Sequence, residues 1–259
     1  MAVRFDEGSG HPVVLLHGFP GSGADWEPAA THLAESFRVV VVDLIGFGAS
    51  SRPRRFEELW IDSQAEALAD ALDELGIEQT ALVGHDYGGP VALTFVRRFS
   101  GRVTHVGLLS TNTFSDTPVD FPLSLLKLPL IGPLLDPVFF NGVALGALGR
   151  MASKTAGVRP RRNDGGEARS IQVIFGRVLR NLAALYEPVE GSLGEIHVPA
   201  VVIWGDRDMF FPASLGRRTA ETLPAARFVL LDGCGHFTPI ERTEAVAAEI
   251  TNLISGSFS

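Results

Sequence analysis

The chain has 259 residues, of which 22 are basic and 30 acidic, for a net charge of −8. That balance argues against nucleic acid as a partner, no basic run marks a polybasic membrane patch, and no charge-free, proline-free run of about 18 apolar residues is present to span a bilayer. A single cysteine, Cys234, excludes an intrachain disulfide and suits a reducing, cytoplasmic setting. Residues 1–7 have no apolar core behind Arg4, so they do not read as a signal peptide. The length suits one α/β domain with room for an inserted cap.

Residues 12–16 are a short apolar run ahead of His17-Gly18, which predicts a buried strand. Residues 38–43 are β-branched and run into a glycine-rich turn at Gly46 and Gly48. Leu59, Ala65, Leu68, Leu72 and Leu75 recur at helical spacing, predicting an amphipathic helix over 57–76 that Gly76 stops. A strand over 79–85 and a helix over 88–98 follow, then strands over 103–109, 199–204 and 227–231 and a last helix over 239–253. Alternating strands and helices imply a mostly parallel sheet covered on both faces.

Residues 112–195 break this rhythm. They are rich in Leu, Phe, Pro and Gly, lack a clear β-branched run, and include a basic segment at 159–166 before a predicted helix over 168–185. The expectation is a helical lid inserted between core segments 1–111 and 196–259, lying over the carboxyl ends of the strands, where open α/β sheets bind ligands. Phe114, Phe121, Leu125, Leu130, Leu134, Phe139, Phe140 and Phe175 are candidates for its inner face, around a small apolar substrate. Contact of 123–148 with a membrane surface is the weaker reading, because Lys127, Asp136 and several prolines interrupt the stretch.

Gly84-His85-Asp86-Tyr87-Gly88 has the spacing of the G-x-S-x-G nucleophile elbow and the strand–turn–helix context that motif needs, with aspartate in the serine position. A carboxylate is already ionised at neutral pH and needs no base to act. It is a poor nucleophile toward esters and amides, but it can displace a leaving group at a saturated carbon. No Cys/His cluster has metal-ligand spacing. The Gly46/Gly48 pair lacks the rest of a dinucleotide fingerprint, so no cofactor is expected. Asp43, Trp26, Trp60, Trp204 and Cys234 read as structural.

With His17-Gly18-Phe19-Pro20, Trp204-Gly205-Asp206-Arg207-Asp208 and Gly233-Cys234-Gly235-His236, the elbow completes four motifs in order at predicted strand ends. Together they make nearly the whole chain resemble the α/β-hydrolase superfamily. The resemblance implies Asp86 as nucleophile, His236 as general base and Asp208 as the acid orienting it. Asp206 is the competitor, and the pattern W-G-x-x-D-x-x-x-P, completed by Pro212, favours Asp208. It also implies an oxyanion hole from the backbone N–H groups of Phe19 and Tyr87. His85 and His17 fall at positions that usually support loops.

The aspartate resembles the branch containing epoxide hydrolases and the haloalkane and fluoroacetate dehalogenases. The implied scheme is attack by Asp86 to form an alkyl ester, then hydrolysis by water that His236 activates. The leaving-group donors depart from each subfamily. Haloalkane dehalogenases typically carry tryptophan after the nucleophile, and fluoroacetate dehalogenases arginine; here it is Tyr87. Phe19 stands where a halide-binding Asn is usual. Epoxide hydrolases usually have two lid tyrosines, and this stretch has one, Tyr186. Tyr87 and Tyr186 are therefore the candidate substrate or leaving-group contacts. Epoxide opening is the leading expectation and carbon–halogen hydrolysis the second. Asp86 acting as a base in lyase or lactone chemistry, and a non-catalytic ligand-binding protein on the same fold, are the alternatives of other kinds.

Overall fold

The computed structural model describes residues 1–256 except 20, 54, 120–122, 129, 140, 155–175 and 177. The strands are β1 (Ala2–Glu7), β2 (Pro12–Leu16), β3 (Arg38–Asp43), β4 (Thr80–His85), β5 (Val103–Leu109), β6 (Ala200–Gly205) and β7 (Ala226–Leu231). They form one seven-stranded sheet in the order β1-β3-β2-β4-β5-β6-β7. β1 pairs antiparallel to β3, and every other pairing is parallel. Leu82 of β4 sits opposite Val14 of β2 on one side and Val106 of β5 on the other.

The β-branched runs follow from this topology, because strands covered on both faces need apolar side chains at every position. Val14, Leu16, Val40, Val42, Leu82 and Val202 face one buried layer, packed by Leu68 and Leu72 of α2 (Ile61–Glu74) and by Val91 and Phe95 of α3 (Gly88–Arg98). Val13, Leu15, Val39, Val41, Val83 and Ile203 face the other, packed by Ala30 and Leu33 of α1 (Glu27–Leu33) and by Val246, Ile250 and Leu253 of α9 (Thr243–Ser255). Truncating a fully buried leucine such as Leu72 to alanine should cost about 2–5 kcal/mol.

Between β5 and β6 the described residues carry helices: α4 (Gly132–Phe139), α5 (Gly142–Ala152) and α6 (Leu182–Ser192). Two more, α7 (Ala213–Thr222) and α8 (Thr238–Glu241), flank β7. Among the described residues no helix is long and apolar enough to cross a membrane.

The predicted central strands match β2 to β7 within a residue or two. Three elements were not expected: β1, α1 and α7. The helix expected over 57–76 is shorter, because Trp60 is extended (φ −78°, ψ 155°) and separates a 3-10 turn at Phe56–Leu59 from α2. The helix expected over 239–253 is cut at Arg242 (φ −138°, ψ 50°) into α8 and α9. Of the inner-face candidates, Phe114 is buried and Phe139 packs against the core. Leu130 and Leu134 instead face solvent, 83% and 76% exposed, which corrects that expectation. Phe121, Phe140, Phe175, the basic segment and half of the helix expected over 168–185 lie outside the described residues.

Candidate active site

Asp86 follows β4 immediately and has φ 48°, a left-handed conformation that costs a non-glycine residue about 1–3 kcal/mol. The surroundings hold it there. Its N–H donates to Leu109 O (3.0 Å), and its carbonyl accepts from Gly89 N (3.0 Å) and Thr111 Oγ1 (2.5 Å). The turn is tight enough to demand glycines: a Cβ on Gly84 would lie 2.3 Å from Gly88 O, and one on Gly18 2.2 Å from Asp86 Cβ. The motif reading of a strained strand-to-helix bend is thus met in the backbone itself.

The Asp86 carboxylate is 8% exposed. Oδ1 accepts the Phe19 N–H at 2.7 Å. His236 Nε2 stands 3.5 Å from Oδ2, a Coulombic contact longer than a good hydrogen bond. Among the described residues Nε2 has no hydrogen-bond partner. Burial raises the Asp86 pKa, but His236, His85 and the Phe19 N–H together pull it below the ordinary carboxylate value.

On the opposite side of the ring, His236 Nδ1 donates to Asp208 Oδ2 at 3.0 Å. Asp208 Oδ1 takes the N–H groups of Phe210 (2.8 Å) and Phe211 (3.1 Å), which aims Oδ2 at the imidazole. The competitor Asp206 is exposed and accepts from Cys234 N instead. Burial works against a charge on His236. Asp208, by its charge and hydrogen bond, and Asp86 outweigh it and raise the imidazole to about 10. Phe210, Phe211 and Phe237 ring the imidazole at centroid distances of 4.8, 5.7 and 5.2 Å and keep it dry.

His85 donates from Nε2 to His236 O at 2.9 Å; burial, seconded by the His236 charge, lowers its pKa to about 4, so it is neutral. His17 donates from Nδ1 to Gly18 O and accepts the Leu44 N–H at Nε2, both at 3.0 Å. Both histidines brace loops, as expected. Asp43 is fully buried and accepts from Gly23 N (2.7 Å) and Ala49 N (2.8 Å). Burial raises the Cys234 thiol to about 12, which suits an inert filler. Among the described residues no group of His, Cys, Asp and Glu is arranged to hold a metal ion.

Tyr87 does not fit the leaving-group contact expected of it. Its ring stacks on Phe19 (centroids 4.4 Å, 23°), and its hydroxyl donates its one proton to Leu59 O at 2.8 Å. Its backbone N–H lies at the N-cap of α3, among the amides a helix leaves without an internal partner. Tyr186 on α6 is 4% exposed. Burial first, then the negative charge of Asp86, raise its phenol pKa. The Asn112 side chain beside its hydroxyl works the other way. Asn112 is held by Phe114 N and Thr117 Oγ1, both donating to its Oδ1. The sequence reading missed Asn112, Thr111 and Glu241, the last a buried carboxylate beside the His236 loop. None belongs to a spaced motif, so only their position in the fold reveals them.

The family description "alpha/beta hydrolase fold" matches residues 11–149, more than half of the chain, and the chain belongs to that family. Haloalkane dehalogenase 2 of Mycobacterium tuberculosis is 29% identical over 95% of this chain and 88% of its own. Epoxide hydrolase 3 of Xenopus tropicalis is 25% identical over 95% of this chain and 72% of its own. The crystal structure of an ancestral haloalkane dehalogenase, AncHLD2, superposes with a TM-score of 0.80 at 22% identity, covering 98% of this chain and 95% of that one. The fold and these relatives make the protein a hydrolase.

Proposed function

We propose that this hydrolase opens an electrophilic saturated carbon through an alkyl ester on Asp86, with an epoxide as the substrate class and a diol as product. One observation carries the reading: a carboxylate, not a hydroxyl, occupies the strained bend, with Phe19 N–H on one oxygen and the His236 imidazole 3.5 Å from the other. Phe19 N–H holds Oδ1, so Oδ2 is the attacking atom. The ester carries no charge. His236 then takes a proton from water that attacks Cγ, the negative charge gathers on Oδ1, and collapse breaks the Cγ–Oδ2 bond while the departing alcohol oxygen takes the proton from His236. The N–H groups of Phe19 and Tyr87 hold that charge, each worth about 3–4 kcal/mol in related acyl chemistry. Asp208 keeps the His236 proton on Nδ1 so that Nε2 is the basic atom. The helices between β5 and β6 act as the lid that bounds the apolar substrate.

Tyr186 supports the epoxide reading. Ring opening leaves an alkoxide, a far stronger base than a halide ion, so it needs an acid. A buried phenol with a raised pKa, near enough to sense Asp86, stays protonated at neutral pH and can supply that proton. The second reading, release of halide and alcohol, rests on the 29% identity with haloalkane dehalogenase 2 over nearly the whole chain.

His236→Gln should trap the ester. Mass spectrometry after incubation with styrene oxide and with 1-bromobutane reads which adduct sits on Asp86. Diol and halide assays on the wild type separate the two classes. Label from oxygen-18 water entering the Asp86 carboxylate distinguishes the ester route from base or lyase chemistry. No adduct and no label with any substrate would leave the ligand-binding alternative standing.

A further inference from the structure

The carboxylate of Glu241 is 5% exposed and gathers backbone N–H groups from both sides of the base. Oε2 accepts Gly235 N at 3.1 Å, and Oε1 accepts Phe237 N at 3.1 Å. Oε2 also accepts Lys154 N at 2.8 Å, and Lys154 lies just beyond α5, in the insertion. A second bond crosses the same seam: His236 N–H donates to Ala152 O at 3.2 Å. The approach is close enough to require glycine at 235, where a Cβ would lie 2.2 Å from Ala152 O and 2.8 Å from Glu241 Oε1. An ionised carboxylate accepts at both oxygens and donates nothing, so it can serve all three amides at once, which no neutral side chain of its size can do.

We infer that Glu241 is a positioning residue that locks the His236 loop to the end of α5, so that the insertion and the base are held in one register. The inference rests on the role proposed for His236. Asp208 orients the ring, whereas Glu241 fixes the backbone on both sides of it. These bonds go to the backbone that carries His236 and to Lys154, so its effect falls on the step that uses the base. A misplacement of about 1 Å at a reacting group can cost on the order of 100-fold in rate.

The test compares Glu241→Gln with Glu244→Gln, which removes the same charge from an exposed neighbour. In Glu241→Gln an NH2 group faces an N–H it cannot accept. Thermal unfolding reports folding. The downfield proton NMR signal of the His236 Nδ1–H, bonded to Asp208, reports ring placement without any substrate. Rapid-quench mass spectrometry with styrene oxide or 1-bromobutane separates ester formation from ester hydrolysis.

The expected result is a folded Glu241→Gln protein whose His236 proton signal shifts or broadens. Its ester hydrolysis slows by on the order of 100-fold while ester formation stays within about threefold. Glu244→Gln behaves as wild type. An unchanged proton signal in folded Glu241→Gln, or equal slowing of both steps, overturns the inference. If Glu241→Gln does not fold, Glu241→Asp decides, since it keeps the charge but shortens the reach: a disturbed signal supports the inference, and a native one sinks it. If wild type forms no ester with any substrate, that counts against the proposed function, and the proton signal still decides the role of Glu241.

Discussion

His236 Nε2 stands 3.5 Å from Asp86 Oδ2, and the charges of the two side chains sustain each other. In the resting protein the pair favours an imidazolium, which is no base. In the proposed cycle the ester removes the Asp86 charge, and one of the groups holding the imidazole near 10 goes with it. The imidazole pKa would then fall in the proposed intermediate, where a base is required. Asp86→Asn imitates the uncharged state. Nitrogen-15 NMR should show His236 titrating lower in Asp86→Asn than in wild type, and in wild type ester hydrolysis should rise with pH through that lower value. Equal titration in the two proteins would break the link.

Asp208→Asn should be severe for a reason specific to this loop. Oδ1 already accepts two backbone N–H groups, from Phe210 and Phe211. An asparagine must keep its oxygen there, which turns its NH2 toward His236 Nδ1. Nδ1 then becomes the acceptor and the ring proton moves to Nε2, the atom that must receive a proton from water. The same tautomer error costs about 10⁴-fold in a serine-protease triad. Ester should accumulate in Asp208→Asn much as in His236→Gln, seen as a persistent mass adduct. A variant that turns over within about tenfold of wild type would rule out this tautomer role.

Sequence legibility followed burial. β2 to β6 lie inside the sheet, so both faces select apolar residues and the runs announce themselves. β1 is an edge strand with Arg4, Asp6 and Glu7 facing solvent and a register shift between Val3 and Phe5, so its pattern is weak. α7 buries only Leu215, Gly216 and Thr219, too small a stripe to register as periodic. The proposed triad was readable because each member follows a strand at a motif spacing. The direction of Tyr87 was not, because stacking on Phe19 and the Leu59 carbonyl, both distant in sequence, decide it. Leu130 and Leu134 show the same limit: apolar composition in a proline-rich stretch does not say which side faces in.

Tyr186→Phe separates the two substrate classes. Removing a general acid costs about 10²–10⁴-fold where the leaving oxygen needs a proton. Ester formation from an epoxide should drop into that range, while any ester formation from an alkyl halide, whose leaving ion needs no proton, should change far less. The ring stays, so packing around α6 is kept. Single-turnover mass spectrometry on both substrates measures this directly. Equal, small effects on both would remove Tyr186 as the acid and with it the main support for epoxide opening.

The same charges make stability depend on pH, with a sign that can be worked out. Burial opposes the His236 charge, but Asp208 and Asp86 raise its folded pKa to about 10, above an unfolded value of about 6.5. Its contribution is therefore fully present below about pH 6.5 and is lost as pH rises toward about 10. Asp86 is the mirror case: its folded pKa is lowered, so its contribution is present above about pH 4 and is lost as pH falls through the folded value. Urea unfolding across this range should show wild type losing more stability than His236→Gln on the alkaline side, because only wild type has an imidazolium to lose. Parallel alkaline decline in the two proteins would mean that His236 carries no extra proton when folded, and that the carboxylates on either side of it do not hold it charged.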